Sequence, residues 1–136
     1  MHNSSSIHAY TAGLIDGEGS VLLSRSGKTQ TYRYPCVSVT STTLALCEFL
    51  KANYGGYICT KKTYAKHHKP AWHWTTMSNS ALEMLELVRP YMLEPSKVHR
   101  IDLLLTKYKA LTVANGHYTS EQHSAKLAFE EEFLAS

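Results

Sequence analysis

Helical and alternating hydrophobic periods take turns along this chain. Ser4 to Ser6 offer N-caps, and Ile7 to Asp16 reads as a short helix ended by Gly17 and Gly19. Ser20 to Arg25 then alternates, with Val21 and Leu23 on one side, Ser20 and Ser24 on the other, and a turn at Gly27. Tyr32 to Thr40 alternates again, with Val37 and Val39 inward and Tyr32, Tyr34, Ser38 and Thr40 outward. The two runs predict a hairpin with one buried face and one polar face.

Ser41 or Thr42 is placed to cap a second helix over Thr43 to Tyr54, where Leu46, Phe49 and Leu50 recur at helical spacing and Gly55-Gly56 is the stop. A second strand pair is expected over Tyr57 to Thr63 and Ala71 to Thr76, joined by a basic connection with Lys66, His67, His68 and Lys69. Ser78 or Asn79 caps a third helix, whose Leu82, Leu85 and Leu87 lead to Pro90. A fourth runs from Ser96 to Ala114 with Ile101, Leu104, Leu105, Tyr108 and Leu111, and Asn115-Gly116 ends it. Thr119 and Gln122 form a capping box for a last helix with Leu127, Phe129 and Phe133. This order predicts an α+β fold: a four-stranded antiparallel sheet with helices on one face, an αββαββα core plus C-terminal helices, in one domain over 1–136. The uncovered sheet face, rich in Ser, Thr, Tyr and Lys, is then a solvent or ligand surface.

With 136 residues, 43% of them hydrophobic, the chain can bury a core, and its longest apolar run is far short of the roughly 20 residues of a membrane span. Three cysteines cannot all pair, which favours a reducing compartment. Cys36, Cys47 and Cys59 lack paired zinc spacing and read as small buried or strand residues. His67, His68 and His73 are metal-binding types, but a basic loop is the better reading of them. The start of the chain has neither a signal-peptide core nor transit-peptide arginines, so the expected location is the compartment of synthesis, a bacterial cytoplasm or the organelle that encodes the protein. Nucleophile-elbow, P-loop and dinucleotide fingerprints are absent.

Charge is unevenly spread. Residues 1–75 hold eight Lys/Arg against Asp16, Glu18 and Glu48, whereas residues 76–136 hold six basic and eight acidic residues. One end of the molecule suits a polyanion; an ordinary uneven surface is the plain alternative.

The most unusual segment is Thr11-Ala12-Gly13-Leu14-Ile15-Asp16-Gly17-Glu18-Gly19. Ala9, Gly13 and Gly17 fall at i, i+4 and i+8, a stripe of minimal side chains on one helix face. Each glycine inside a helix costs about 1 kcal/mol relative to alanine, so close approach of another helix is one reason for them. Glu18 sits at the negative end of the helix dipole, which is unfavourable unless a cation reverses the sign. Two such helices packed together would also bring two Glu18 carboxylates close, which calls for a metal between them. A glycine-rich helix stop with an exposed acid is the alternative.

This segment resembles the LAGLIDADG motif of homing endonucleases, with Thr11 for the first Leu, Gly17 for the second Ala and Glu18 for the final Asp. The similarity extends over roughly Ile7 to Tyr108, because the family core has the element order read above. A single motif copy implies a homodimer, with Ala9, Ala12, Gly13 and Gly17 at the packed helices. The resemblance implies that Glu18 and the Gly17 carbonyl hold a divalent ion, Mg2+ or in its place Mn2+ or Ca2+, and that Asp16 is structural. Lys97 matches the family's basic residue, which polarises water or steadies phosphate charge. Ser41 matches the polar residue that closes the second strand. The Arg that some relatives carry on the second helix has no counterpart in Leu44-Ala45-Leu46-Cys47, so either another residue such as Arg100 substitutes or the enzyme does without.

The family lays its open sheet face in the DNA major groove. Outward parity then assigns Ser20, Leu22, Ser24, Ser26, Lys28 and Gln30 from the first strand and turn, and Tyr32, Tyr34, Ser38 and Thr40 from the second. The third gives Tyr57, Cys59 and Lys61, and the fourth His73 and Thr75, with Lys66 and Lys69 as phosphate contacts; Trp72 and Trp74 face the helices. The implied activity is a metal-dependent double-strand break with 3′ overhangs in a long pseudopalindromic site, promoting intron mobility. The expected partners are double-stranded DNA and a second copy of the chain, with no membrane and no small-molecule substrate. A noncatalytic relative (an intron-splicing maturase or a DNA-binding regulator) is the second reading, and an unrelated α+β protein with a chance motif is the third.

Overall fold

A computed structural model of the chain describes residues 4–27, 31–61, 69–114 and 116–136. The elements are α1 (Ser4–Glu18), β1 (Gly19–Ser24), β2 (Tyr34–Ser41), α2 (Leu44–Tyr54), β3 (Tyr57–Lys61), β4 (Ala71–Met77), α3 (Ser78–Val88), α4 (Pro95–Leu103), α5 (Lys109–Leu111) and α6 (Ser120–Leu134). A 3-10 turn over Arg89–Tyr91 precedes α4, and a π turn over Leu104–Tyr108 joins α4 to α5. No helix among the described residues is long and apolar enough to cross a membrane.

The strands form one antiparallel sheet in the order β1-β2-β4-β3. Period-two alternation sends Val21, Val37, Val39 and Trp74 to the helix side, where each is at most 1% exposed. They pack with Ile15 of α1, Leu50 of α2, Leu85 of α3 and Ile101 of α4 in one core. Trp74 also donates its indole N–H to the Gly55 carbonyl at 2.9 Å, and Trp72 packs against the same core. Gly56 must be glycine: its φ is +85°, and a Cβ there would lie 2.3 Å from the Thr75 carbonyl oxygen.

Several boundaries differ from the sequence expectation. The first helix runs past Gly17 to Glu18, and β1 begins at once with Gly19. A side chain at Gly19 would meet the Ile15 backbone at 2.7 Å, so this glycine permits the abrupt change. Thr43, not Ser41 or Thr42, occupies the N-cap position of α2 and makes no side-chain cap. Met77 likewise precedes α3 without capping it. The fourth helix is interrupted by the π turn and stops at Leu111. The Thr119–Gln122 capping box is present in both directions, at 2.9 and 3.1 Å.

Candidate functional site

Helix α1 divides by phase. Thr11, Ala12 and Ile15 are wholly buried against the core, whereas Ala9, Gly13 and Gly17 are exposed and line one shallow depression with Tyr10, Leu14 and Glu18. A Cβ built on Gly13 or Gly17 meets nothing within 4 Å, so nothing among the described residues of this protomer demands glycine there. Ala12 corrects the sequence reading. At 0% exposure it belongs to this chain's own core and offers no surface to a second helix.

Glu18 ends the exposed stripe. Its side chain is exposed, and among the described residues it makes no hydrogen bond or ion pair. Asp16, two residues earlier, is fully engaged: its carboxylate accepts the backbone N–H groups of Leu93 and Glu94, each at 3.0 Å. That geometry is structural, as the motif resemblance implies.

Lys97 lies at the same helix end. Its Nζ donates to the carbonyls of Ile15 at 2.9 Å and Asp16 at 2.8 Å, groups that α1 cannot satisfy internally. A cation there also complements the helix dipole. Glu94 orients Lys97 by accepting its backbone N–H at 2.7 Å, and Pro95 opens the helix. Ser41 closes β2, and its Oγ accepts the Thr43 N–H at 3.0 Å. Because Gly19 pairs with Val39, Thr40 and Ser41 extend β2 beyond the start of β1.

The register fixes which strand residues share the open face. Ser20, Ser38, Thr75 and Tyr57 form one cross-sheet row. Thr40, His73 and Cys59 form another, and Ser24 faces Tyr34. Leu22, Cys36 and Met77 make an apolar row between them, and Lys61 pairs with Ala71 at the far end. Ser38 and Thr75 keep little accessible area because they lie on the two central strands. Thr40 and His73 are tied by a 2.7 Å hydrogen bond across this face.

Ser26 is exposed and donates to the Tyr34 hydroxyl at 3.2 Å, and Lys69 is exposed just before β4. Lys28, Gln30 and Lys66 lie outside the described residues, as do His67 and His68. Tyr32 departs from its sequence placement. It precedes β2, and its hydroxyl shares a 2.7 Å hydrogen bond with Nδ1 of His123 on α6.

Comparison with known proteins finds no matching family model and no matching curated protein. Solved structures do match. The archaeal intron-encoded homing endonuclease I-Vdi141I, complexed with DNA, superposes with a TM-score of 0.73 at 17% identity, over 98% of this chain and 85% of that one. The LAGLIDADG homing endonuclease I-GzeII, in complex with its DNA target, gives 0.69 at 17% identity, over 100% of this chain and 45% of that one. The group I intron-encoded homing endonuclease I-CeuI, complexed with DNA, gives 0.68 at 18% identity, over 98% and 68%. This chain has the LAGLIDADG homing-endonuclease fold.

Within the homing-endonuclease fold, β1 is an edge strand, and two arginines that strand parity does not reveal close its free side. Arg100 Nη1 donates to the Val21 carbonyl at 2.9 Å, and Arg33 Nη1 to the Leu23 carbonyl at 3.3 Å. Arg100 also donates to Oγ and the carbonyl of Ser136, and its guanidinium lies 5.0 Å from the Phe133 ring centre. Cys36 and Met77 also lie on the open face, which the sequence reading did not assign to them; continuing the period-two alternation through Cys36 and past Thr76 would have found both. The arginines were not legible, because their acceptors are backbone atoms, ten residues away for Arg33 and 79 for Arg100.

Proposed function

We propose that the chain is a site-specific homing endonuclease. As a homodimer it makes a divalent-metal-dependent double-strand break with 3′ overhangs in a long pseudopalindromic DNA site and so promotes intron mobility. One observation carries this reading: Glu18, exposed and without a partner among the described residues, stands where a bare Ala9/Gly13/Gly17 stripe ends and a polar sheet face begins.

The stripe supports the dimer. Glycine in a helix costs up to about 1 kcal/mol, and nothing among the described residues of the protomer repays Gly13 and Gly17, whereas a second α1 packed at close range does. The chain also spans only 45% of I-GzeII and 46% of I-SmaMI, whose structure is described as bound to an uncleaved DNA target with calcium ions. Two copies would therefore match a longer chain of that kind. A twofold through α1 brings two Glu18 carboxylates together and joins two basic halves into one saddle for the duplex. On that saddle Ser20, Leu22, Ser24, Ser26, Tyr34, Ser38, Thr40, Tyr57, Cys59, His73 and Thr75 face the bases, and Lys69 the phosphates.

Among the described residues no three His, Cys, Asp or Glu cluster as a metal site. The donor set still fits Mg2+, which takes one or two carboxylates and completes its shell with water and phosphate oxygens. Glu18 from each copy and the Gly17 carbonyl are such hard donors, and Mn2+ or Ca2+ suits the same oxygens. When bound, the ion supplies Lewis-acid activation of water and of the leaving oxygen. Lys97, with its amine on the Ile15 and Asp16 carbonyls, fixes the direction in which Gly17 and Glu18 leave the helix. Ser41 keeps its hydroxyl proton for a nearby water, since its oxygen is the acceptor of the Thr43 N–H.

Selection of cleaved molecules from a randomised duplex library, with Mg2+ and with EDTA, tests this function. The expected result is one long, near-palindromic consensus, recovered only with Mg2+ and from a dimer. A binding consensus without cleavage would favour the maturase or regulator reading. A folded protein that selects nothing would contradict both.

A further inference from the structure

We infer that α6 is a specificity-determining element, which acts through His123 on the hairpin arm that presents Tyr34 and Ser24 to the outer base pairs. The inference rests on the DNA-cleaving reading above. Ladder pairing between β1 and β2 ends at Ser24 opposite Tyr34. Beyond the Arg33 guanidinium on the Leu23 carbonyl, the arm that leads into β2, Tyr32 and Arg33, is held by three contacts from α6 and its approach. The Tyr32 hydroxyl meets His123 Nδ1 at 2.7 Å, and the Tyr32 ring packs on Tyr118 with centroids 4.5 Å apart. The Arg33 backbone N–H donates to Glu130 Oε2 at 3.0 Å.

The anchor is itself fixed. Phe129 and Phe133 hold α6 in the core, and the capping box fixes its start. Lys126 is 1% exposed, lies 4.0 Å from the Tyr108 ring centre and donates to the Thr112 hydroxyl. The pose set by α6 passes through the backbone at Tyr32 and Arg33 directly into Tyr34, whose hydroxyl accepts from Ser26. Five residue steps of about 3.4 Å separate Ser24 from Gly19, so on a strand laid along the groove Ser24 and Tyr34 would lie roughly five base pairs outward of the Glu18 end. Among the described residues the hydrogen bond and ring contact of His123 both run to Tyr32, outside β2 and the motif helix, so it is a positioning residue.

The test is the cleavage-site profile, from a randomised library in Mg2+, of the wild type, His123→Ala and His123→Asn, with a thermal melt of each. Losing one hydrogen bond that orders the arm is expected to cut discrimination at the outer base pairs about 3- to 10-fold in His123→Ala. The pairs beneath Ser20 and Ser38, and kcat on the preferred site, should stay within about twofold. His123→Asn, whose amide places a polar atom where Nδ1 stood, should restore the outer preference. An unchanged His123→Ala profile overturns the inference, as does an equal loss at every position, or a loss that His123→Asn shares in full. A wild type that selects no site overturns the nuclease reading and this inference together, and that outcome is distinct from the other three.

Discussion

Lys97 and Asp16 clasp two helix ends from both sides. The lysine amine sits 2.8 Å from the Asp16 carbonyl oxygen, and the Asp16 carboxylate holds the amides of Leu93 and Glu94 just before the helix that carries Lys97. Lys97→Met keeps the stem and removes the amine. It should lower stability by about 1.5–3 kcal/mol, the range for hydrogen bonds made by a charged group, as read from the urea midpoint. Cleavage should fall by more than the stability loss explains, because Glu18 would lose its fixed exit from the helix.

Gly13 separates the protomer from the dimer. With nothing within 4 Å of its missing Cβ, Gly13→Leu leaves the protomer fold intact and raises helix propensity by up to about 1 kcal/mol. The same side chain would fill the space a second α1 needs. Sedimentation should therefore show a stable monomer, and a persisting dimer would place the interface elsewhere.

Gly55 and Gly56 make a matched pair. Both have positive φ, but only Gly56 faces a backbone atom, the Thr75 carbonyl at 2.3 Å, whereas Gly55 meets only Ser80 Oγ at 3.9 Å. Gly56→Ala should cost about 2 kcal/mol or more, and Gly55→Ala about 1 kcal/mol, in parallel denaturation curves.

Acid sensitivity has one identified source in the Arg89–Asp102 pair, bound in two places at 2.7 and 3.1 Å. The hydrogen bond from Arg89 holds the Asp102 carboxyl below its ordinary value. The folded value lies below the unfolded one, so the stabilisation is complete above the ordinary carboxyl range and is lost as pH falls through the folded value. The side chains are 35% and 49% exposed, so solvent screening limits the effect to below about 1 kcal/mol. Asp102→Asn should be less stable than wild type by that amount at neutral pH, and the gap should close below about pH 4 in acid titrations of stability.

Much of the fold was legible because its signals are periodic. Val21 and Leu23 alternate with Ser20 and Ser24, and the structure puts the first pair in the core and the others on the open face. Cys36 and Cys47 are buried as their spacing suggests, while Cys59 is an exposed strand residue. Phase within a helix was harder. Ala12 adjoins Gly13 in the motif, yet one residue turns a helix by about 100°, and that turn puts Ala12 beside Ile15 in the core. Nonlocal chemistry was not legible at all. Tyr32 continues the alternation of β2, but its partner His123 is 91 residues away. The carbonyls that receive Lys97 are 81 and 82 residues distant.

The most direct test replaces one atom type in Glu18. On the site selected by the wild type, Glu18→Gln keeps the shape and removes the charge. Cleavage in Mg2+ is expected to fall at least about a hundredfold, the effect of losing several kcal/mol of metal-mediated stabilisation. The dissociation constant for the same DNA should stay within about threefold, because Glu18 lies off the base-reading strands. Cleavage by Glu18→Gln at the wild-type rate would contradict the central claim.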